Sequence, residues 1–229
     1  MERYGDYNEV SESPSKSPVL RLIKLIAVIL CFAVVGLLLL RLLLFNYVPA
    51  SVKDIYFTDA LTEYYYETNG NVGAKTQTLR AQYDDAKEGN FFCDNLIVIP
   101  EIGELQITLR YNVSLIEKLK EAYGLTDIDE NSEDLFIFRL RRNGDVTSDT
   151  TLIGHLEATK FESFLLYRYY KIVFDGIDFN SEDKIDWIRL EILVKNADQK
   201  EPYMVAIYEN NETYSKFSDY KLSSGEVPG

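Results

Sequence analysis

Two regimes of hydrophobic patterning divide this chain. From Leu25 to Val48 the sequence reads LIAVILCFAVVGLLLLRLLLFNYV, apolar on every face and interrupted only by Arg41 and Asn46. At about 1.5 Å rise per residue such a run extends roughly 36 Å, enough to cross a hydrocarbon core of about 30 Å. A helix on the core of a soluble domain keeps a polar stripe, so this run predicts a single transmembrane helix. Arg21, Lys24 and Arg41 bound its charge-free part, Leu25 to Leu40, and their long stems let the charges extend toward the two interfaces.

Beyond the run the period changes to two. Leu105, Ile107, Leu109 and Tyr111 alternate with Glu104, Gln106, Thr108 and Arg110, the pattern of a strand with one buried face. Ile188, Leu190, Ile192 and Val194 alternate in the same way with Arg189, Glu191, Leu193 and Lys195. Aromatic and β-branched enrichment predicts further strands over residues 53–58, 61–68, 74–82, 91–99, 135–142, 146–153, 164–174 and 202–209. Asn143-Gly144 fits the positive φ values of a two-residue hairpin turn, with Arg142 facing Asp145. Asn69-Gly70-Asn71 predicts a second hairpin between the Tyr64-Tyr65-Tyr66 strand and residues 74–82.

One segment departs from this period. Ser114-Leu115-Ile116-Glu117 reads as a capping box, Leu115, Ile116, Leu119 and Tyr123 share a helical face, and Gly124 is placed to end the helix. The expected fold is therefore all-β: a two-sheet sandwich of immunoglobulin-like or jelly-roll type with one short helix at 114–123, preceded by a single N-terminal transmembrane helix. The expected organisation is a polar, disordered cytoplasmic tail over 1–18, the anchor over 19–48, an extracytoplasmic domain over 52–222 and a flexible tail over 223–229.

Charge sharpens this picture. Five basic and four acidic residues precede position 52, which leaves 19 basic and 33 acidic side chains beyond it, a net of −14. That field repels phosphate backbones and argues against a nucleic-acid partner. Lys16, Arg21 and Lys24 on the N-terminal flank outnumber Arg41 and Lys53 on the other, which places the N-terminus in the cytoplasm and the domain outside a cell membrane. The competing reading is a signal peptide cleaved after Ala50 in Val48-Pro49-Ala50. A polar leader of about 20 residues and an apolar run longer than the usual 7 to 15 argue for a retained signal anchor. Cys31 lies in the apolar run and Cys93 beyond it, so the two cannot form an intrachain bridge.

Candidate chemistry is sparse. The single histidine, His155, has no nucleophile paired with it in sequence, and a histidine-based zinc site is excluded by count. Cys93 sits in the apolar run Phe91 to Ile99 and reads as a small buried hydrophobe. The expectation is no catalytic residue and no cofactor. Asp127, Asp129, Asn131 and Glu133 place oxygen ligands at alternate positions, a weak calcium candidate, but Ser132 replaces the glycine of a calcium loop and Phe138 its bidentate glutamate. Asp175, Asp178, Asn180, Glu182 and Asp183 form a second acidic cluster that reads as a solvated turn. Tyr64, Tyr65, Tyr66, Tyr167 and Tyr169 are the candidate binding surface, since exposed tyrosines stack on sugars or anchor protein partners. Asn112-Val113-Ser114 and Asn211-Glu212-Thr213 match the glycosylation pattern, one too short to carry weight.

The sequence thus points to a membrane-anchored module without enzymatic activity, held by residues 19–48 and binding a protein partner in the cell envelope. The alternatives are a carbohydrate or cell-wall binding module using the tyrosines and, third, a carboxylate-dependent hydrolase.

Overall fold

The apolar run folds as one helix, α1 (Pro18–Asn46), with none of its residues buried. In the computed structural model, residues 18–81, 91–125, 133–142, 151–179, 187–209, 217–222 and Glu226 are described. The helix is long and apolar enough to cross a membrane. The chain divides into two units, residues 1–47 and 48–229, each with its own internal contacts.

The second unit is mostly β, with two antiparallel sheets and few helices. In chain order its elements are α2 (Ala50–Lys53), α3 (Asp59–Glu67), β1 (Lys75–Ala81), β2 (Phe91–Ile99), a 3-10 turn at Pro100–Ile102, β3 (Glu104–Asn112), α4 (Ser114–Tyr123), β4 (Phe136–Arg142), β5 (Thr151–Ile153), β6 (His155–Phe164), β7 (Tyr167–Asp175), β8 (Trp187–Val194), β9 (Tyr203–Glu209) and β10 (Ser218–Asp219). The first sheet runs in the order β10-β1-β2-β3-β7-β6 and the second in the order β5-β4-β8-β9. One apolar core is built from both. Leu105, Ile107, Leu109 and Tyr111 of β3 and Tyr170, Ile172 and Phe174 of β7 meet Phe136, Phe138 and Leu140 of β4 and Leu190 and Ile192 of β8, and α4 contributes Leu115, Ile116 and Leu119.

The predicted helix at 114–123 forms over those residues, and Gly124 ends it in the left-handed conformation at φ 64°. Its start differs from a capping box. Val113 is the cap residue with no side-chain bond, and the Ser114 amide donates instead to Asn112 Oδ1 at 2.9 Å.

Four further expectations are corrected. Residues 50–53 are helical and 54–58 cross the sheet without joining it, so no strand forms at 53–58. Residues 61–67 belong to α3, with Thr68 as its C-cap, because Thr58 accepts a hydrogen bond from the Leu61 amide and Leu61, Tyr64 and Tyr65 then share a face over Ile97 and Ile99. Asn69 (φ 51°) and Gly70 (φ 86°) do take positive φ, but they close α3 rather than a hairpin. Residues 155–175 form two strands joined at Leu165-Leu166, with Phe164 opposite Tyr167. Arg142 is in register with Thr151, and the expected turn at Asn143-Gly144 with Asp145 lies outside the described residues.

Between β5 and β6 the chain passes from one sheet to the other at Gly154. Its φ of +66° and the position its Cβ would take, 2.7 Å from the Asp175 carbonyl oxygen, leave room for glycine alone.

Candidate functional site

The alternation in β3 predicts one buried face, yet both of its faces are buried. Glu104, Gln106, Thr108 and Arg110, on the side away from the second sheet, are at most 5% exposed. What covers Glu104, Gln106 and Thr108 is the segment from Pro49 to Thr58, which runs across β2, β3 and β7 as a strap and reaches the edge strand β6 where Ser51 bonds Glu162, while Arg110 is covered by Phe92 and Tyr167.

Side chains from the sheet hold the strap in place of strand pairing. Thr108 Oγ1 donates to the Val52 carbonyl at 2.7 Å. Asn95 Nδ2 donates to the Lys53 carbonyl at 3.2 Å, and Lys171 Nζ reaches the same oxygen at 3.5 Å. Gln106 acts as a surrogate backbone: its Oε1 accepts from the Tyr56 amide at 2.8 Å and its Nε2 donates to the Tyr56 carbonyl at 2.6 Å. The same Nε2 lies 2.6 Å from Glu104 Oε1, and Thr58 Oγ1 donates to Glu104 Oε2 at 2.7 Å. From the C-terminal side, Tyr220 donates to Glu226, and both accept from the Ile55 amide. Buried polar groups of this kind are tolerated because each finds a partner.

Two cations define the electrostatics. Lys171 is fully buried and, among the described residues, makes no ion pair. Burial pushes its ammonium down to about 7, an effect opposed by the carboxylates of Asp54, Glu104 and Glu226. Burial also pushes the Glu104 carboxyl up, offset by its bonds to Thr58 and Gln106. Along the same face, Arg110 Nε lies 3.2 Å from Asp94 Oδ2, close enough for an ion pair but not aligned as a hydrogen bond. Burial raises Asp94 to about 6 despite that guanidinium. Arg110 also sits 5.5 Å from the Phe92 ring centroid and 5.4 Å from that of Tyr167, a cation held between two aromatic faces.

The tyrosines do not form one surface. Tyr64 and Tyr65 are half-buried on α3, with Tyr65 edge-on to Phe57 and Tyr66, and Tyr66 is 57% exposed. Tyr167 is half-buried beside Arg110, whereas Tyr169 is fully buried and its hydroxyl is raised to about 12 by burial. Of the calcium candidates, Asp127, Asp129 and Asn131 lie outside the described residues, and Glu133 is exposed, its carbonyl accepting from the Tyr170 hydroxyl at 3.3 Å. His155 is exposed opposite Asp175. Cys93 is buried, and burial raises its thiol. Among the described residues, no group of three His, Cys, Asp or Glu side chains is arranged to hold a metal ion.

The polar layer itself was not legible as a site. Its one sequence signal is Lys171, a lone cation inside the aromatic and aliphatic run Tyr169 to Phe174.

Fold and site define a mostly β protein of two antiparallel sheets, with one N-terminal helix long and apolar enough to span a membrane. Compared with family models, curated proteins and solved structures, the chain matches none of them.

Proposed function

We propose that this is a single-pass membrane-anchored protein that presents a β-sandwich domain outside the cell membrane, without enzymatic activity of its own, to a protein partner in the cell envelope. The observation that carries this reading is α1, long and apolar enough to cross a membrane and with none of its residues buried. Within a few residues of the end of α1, the chain is fastened to the sheet by Thr108, Asn95, Gln106 and Lys171. The acidic charge beyond residue 52 fits an exported, solvated surface, and the flanking Lys16, Arg21 and Lys24 favour a cytoplasmic N-terminus.

Fractionation and protease treatment of intact cells test this. The full chain is expected in the membrane fraction after alkaline washing, with protease added outside digesting the domain and sparing the N-terminal tail. Protection of residues 48–229 until the membrane is broken would reverse the orientation, and release by alkali would remove the anchor. A photoreactive residue in place of exposed Tyr66 then addresses the partner. A protein adduct of discrete mass supports this reading, whereas adducts to glycan favour the carbohydrate-binding alternative.

A further inference from the structure

β6 is a ten-residue strand at one edge of the six-stranded sheet, and no described strand pairs with its outer side. Edge strands of this length usually carry devices against pairing, such as like charges or prolines. β6 has a bulge near its start, between Leu156 and Ala158, but the remainder, Ala158 to Phe164, is regular.

Its charges are spaced for self-pairing, with Glu162 Oε2 also accepting from Ser51 Oγ of its own copy at 3.1 Å. Lys160 and Glu162 are opposite Lys171 and Tyr169 and therefore share the outer face, while Thr159, Phe161 and Ser163 lie on the core side. In an antiparallel pair of two β6 strands centred on Phe161, Lys160 of each copy faces Glu162 of the other, Thr159 faces Ser163 and Phe161 faces Phe161. Registers centred one residue to either side bring Lys160 against Lys160 or Glu162 against Glu162. Opposite charges directly across a sheet stabilise and like charges destabilise, so one register is selected.

Exposed apolar side chains give a second, independent observation. Leu156, at one end of β6, is 46% exposed, and Leu165 and Leu166, in the turn at its other end, are 63% and 56% exposed. Leu165 also holds φ +49°, a conformation that leucine rarely adopts. About the Phe161 centre, Leu156 of one copy lands on the Leu165-Leu166 turn of the other, so residues that are solvated singly are brought together in pairs.

We propose that β6 is the interface for a second copy of this chain, joining two six-stranded sheets into one continuous sheet through a two-fold axis perpendicular to it. The strap lies on the outer face of the sheet, with Thr108 Oγ1 bonded to Val52. A perpendicular two-fold keeps both straps on the same side of the joined sheet; that the two copies share one membrane rests on the anchored reading above. A single strand pair is a small interface, and confinement to a membrane supplies the effective concentration it needs.

The test uses the full chain in native membranes with Cys31→Ser as background. Thr159→Cys and Ser163→Cys, both at exposed positions, are placed on two differently tagged copies and oxidised. Residues opposite each other in such a pair have Cα atoms about 4.5 to 5.5 Å apart, within disulfide reach. A crosslinked heterodimer is expected from the mixed pair and not from either variant alone. Lys160→Glu or Glu162→Lys singly should lower the yield at least five-fold, and the two together should restore it. The proposal is overturned by a mixed pair that fails to crosslink while melting like wild type, by equal crosslinking of either variant alone, or by indifference to the charge changes. Fractionation of the same samples reports the anchored reading separately from the disulfide.

Discussion

Thr58 Oγ1 donates to Glu104 Oε2 at 2.7 Å while accepting from the Leu61 amide at 3.1 Å, so one hydroxyl both caps α3 and satisfies a buried carboxylate. The two roles fasten the strap to β3 and set the start of the helix that covers the sheet.

Thr58→Val keeps the shape and removes both bonds. A lost cap costs about 1 kcal/mol, and a lost bond to a buried charged group about 1.5 to 3 kcal/mol. The expected loss is about 2 to 4 kcal/mol, a fall in Tm of roughly 5 to 12 °C for a unit of this size. Unchanged melting would show that Glu104 draws no stability from the strap.

Gly154 and Gly124 make a matched pair. Both are left-handed, at φ +66° and +64°, but a Cβ at Gly154 would meet the Asp175 carbonyl oxygen at 2.7 Å, whereas one at Gly124 meets nothing within 4 Å. Gly124→Ala should cost about 1 to 2 kcal/mol, the conformational term alone. Gly154→Ala should cost clearly more, because the strand change between sheets must shift. Equal losses in denaturant titration would contradict the steric reading.

Lys171 imposes a pH dependence. Its pKa falls from 10.5 in the unfolded chain to about 7 when folded, so between those values the unfolded state binds more protons and stability rises with pH. The slope is at most about 1.4 kcal/mol per pH unit. Asp94, raised from 3.8 to about 6, acts oppositely: the folded state binds more protons between those values and stability falls as pH rises. Glu104, also raised, adds to that fall. Denaturant melts at successive pH values should therefore show a decline from about pH 4 to 6 and a recovery from about pH 7 to 9, above which the raised Cys93 thiol, still protonated in the folded state, opposes it. Lys171→Met should abolish the recovery and stabilise the protein at pH 7, since a buried charge is replaced by an apolar chain of similar length. Persistence of the recovery in that variant would assign it to another group.

Leu165 predicts a gain. Left-handed backbone costs a non-glycine residue about 1 to 2 kcal/mol, and asparagine bears it better because its side chain bonds locally. Leu165→Asn is expected to raise stability by about 0.5 to 1 kcal/mol, since the leucine is exposed and loses little burial. A destabilised variant, measured by thermal melting, would mean that this side chain packs within its own copy.

The sequence by itself located the elements whose pattern is local. An apolar run interrupted only by Arg41 and Asn46 defined α1, alternation defined β3 and β8, and a helical face followed by glycine defined α4, because each is specified by neighbours within a few residues. Tyr64-Tyr65-Tyr66 misled, since three aromatics in a row read as strand. The helix there depends on the Thr58 cap and on packing of Leu61 over Ile97 and Ile99. β6 was missed, and the strand expected from residue 164 begins only at Tyr167, because Leu165-Leu166 carries none of the glycine, proline or asparagine that marks a turn. Above all, Glu104, Gln106, Thr108 and Arg110 read as a solvated face. Only the tertiary structure buries them, Arg110 between Phe92 and Tyr167 and the other three by bringing residues 49–58 across the sheet from about fifty positions away, a pairing between distant segments that no periodicity within either one encodes.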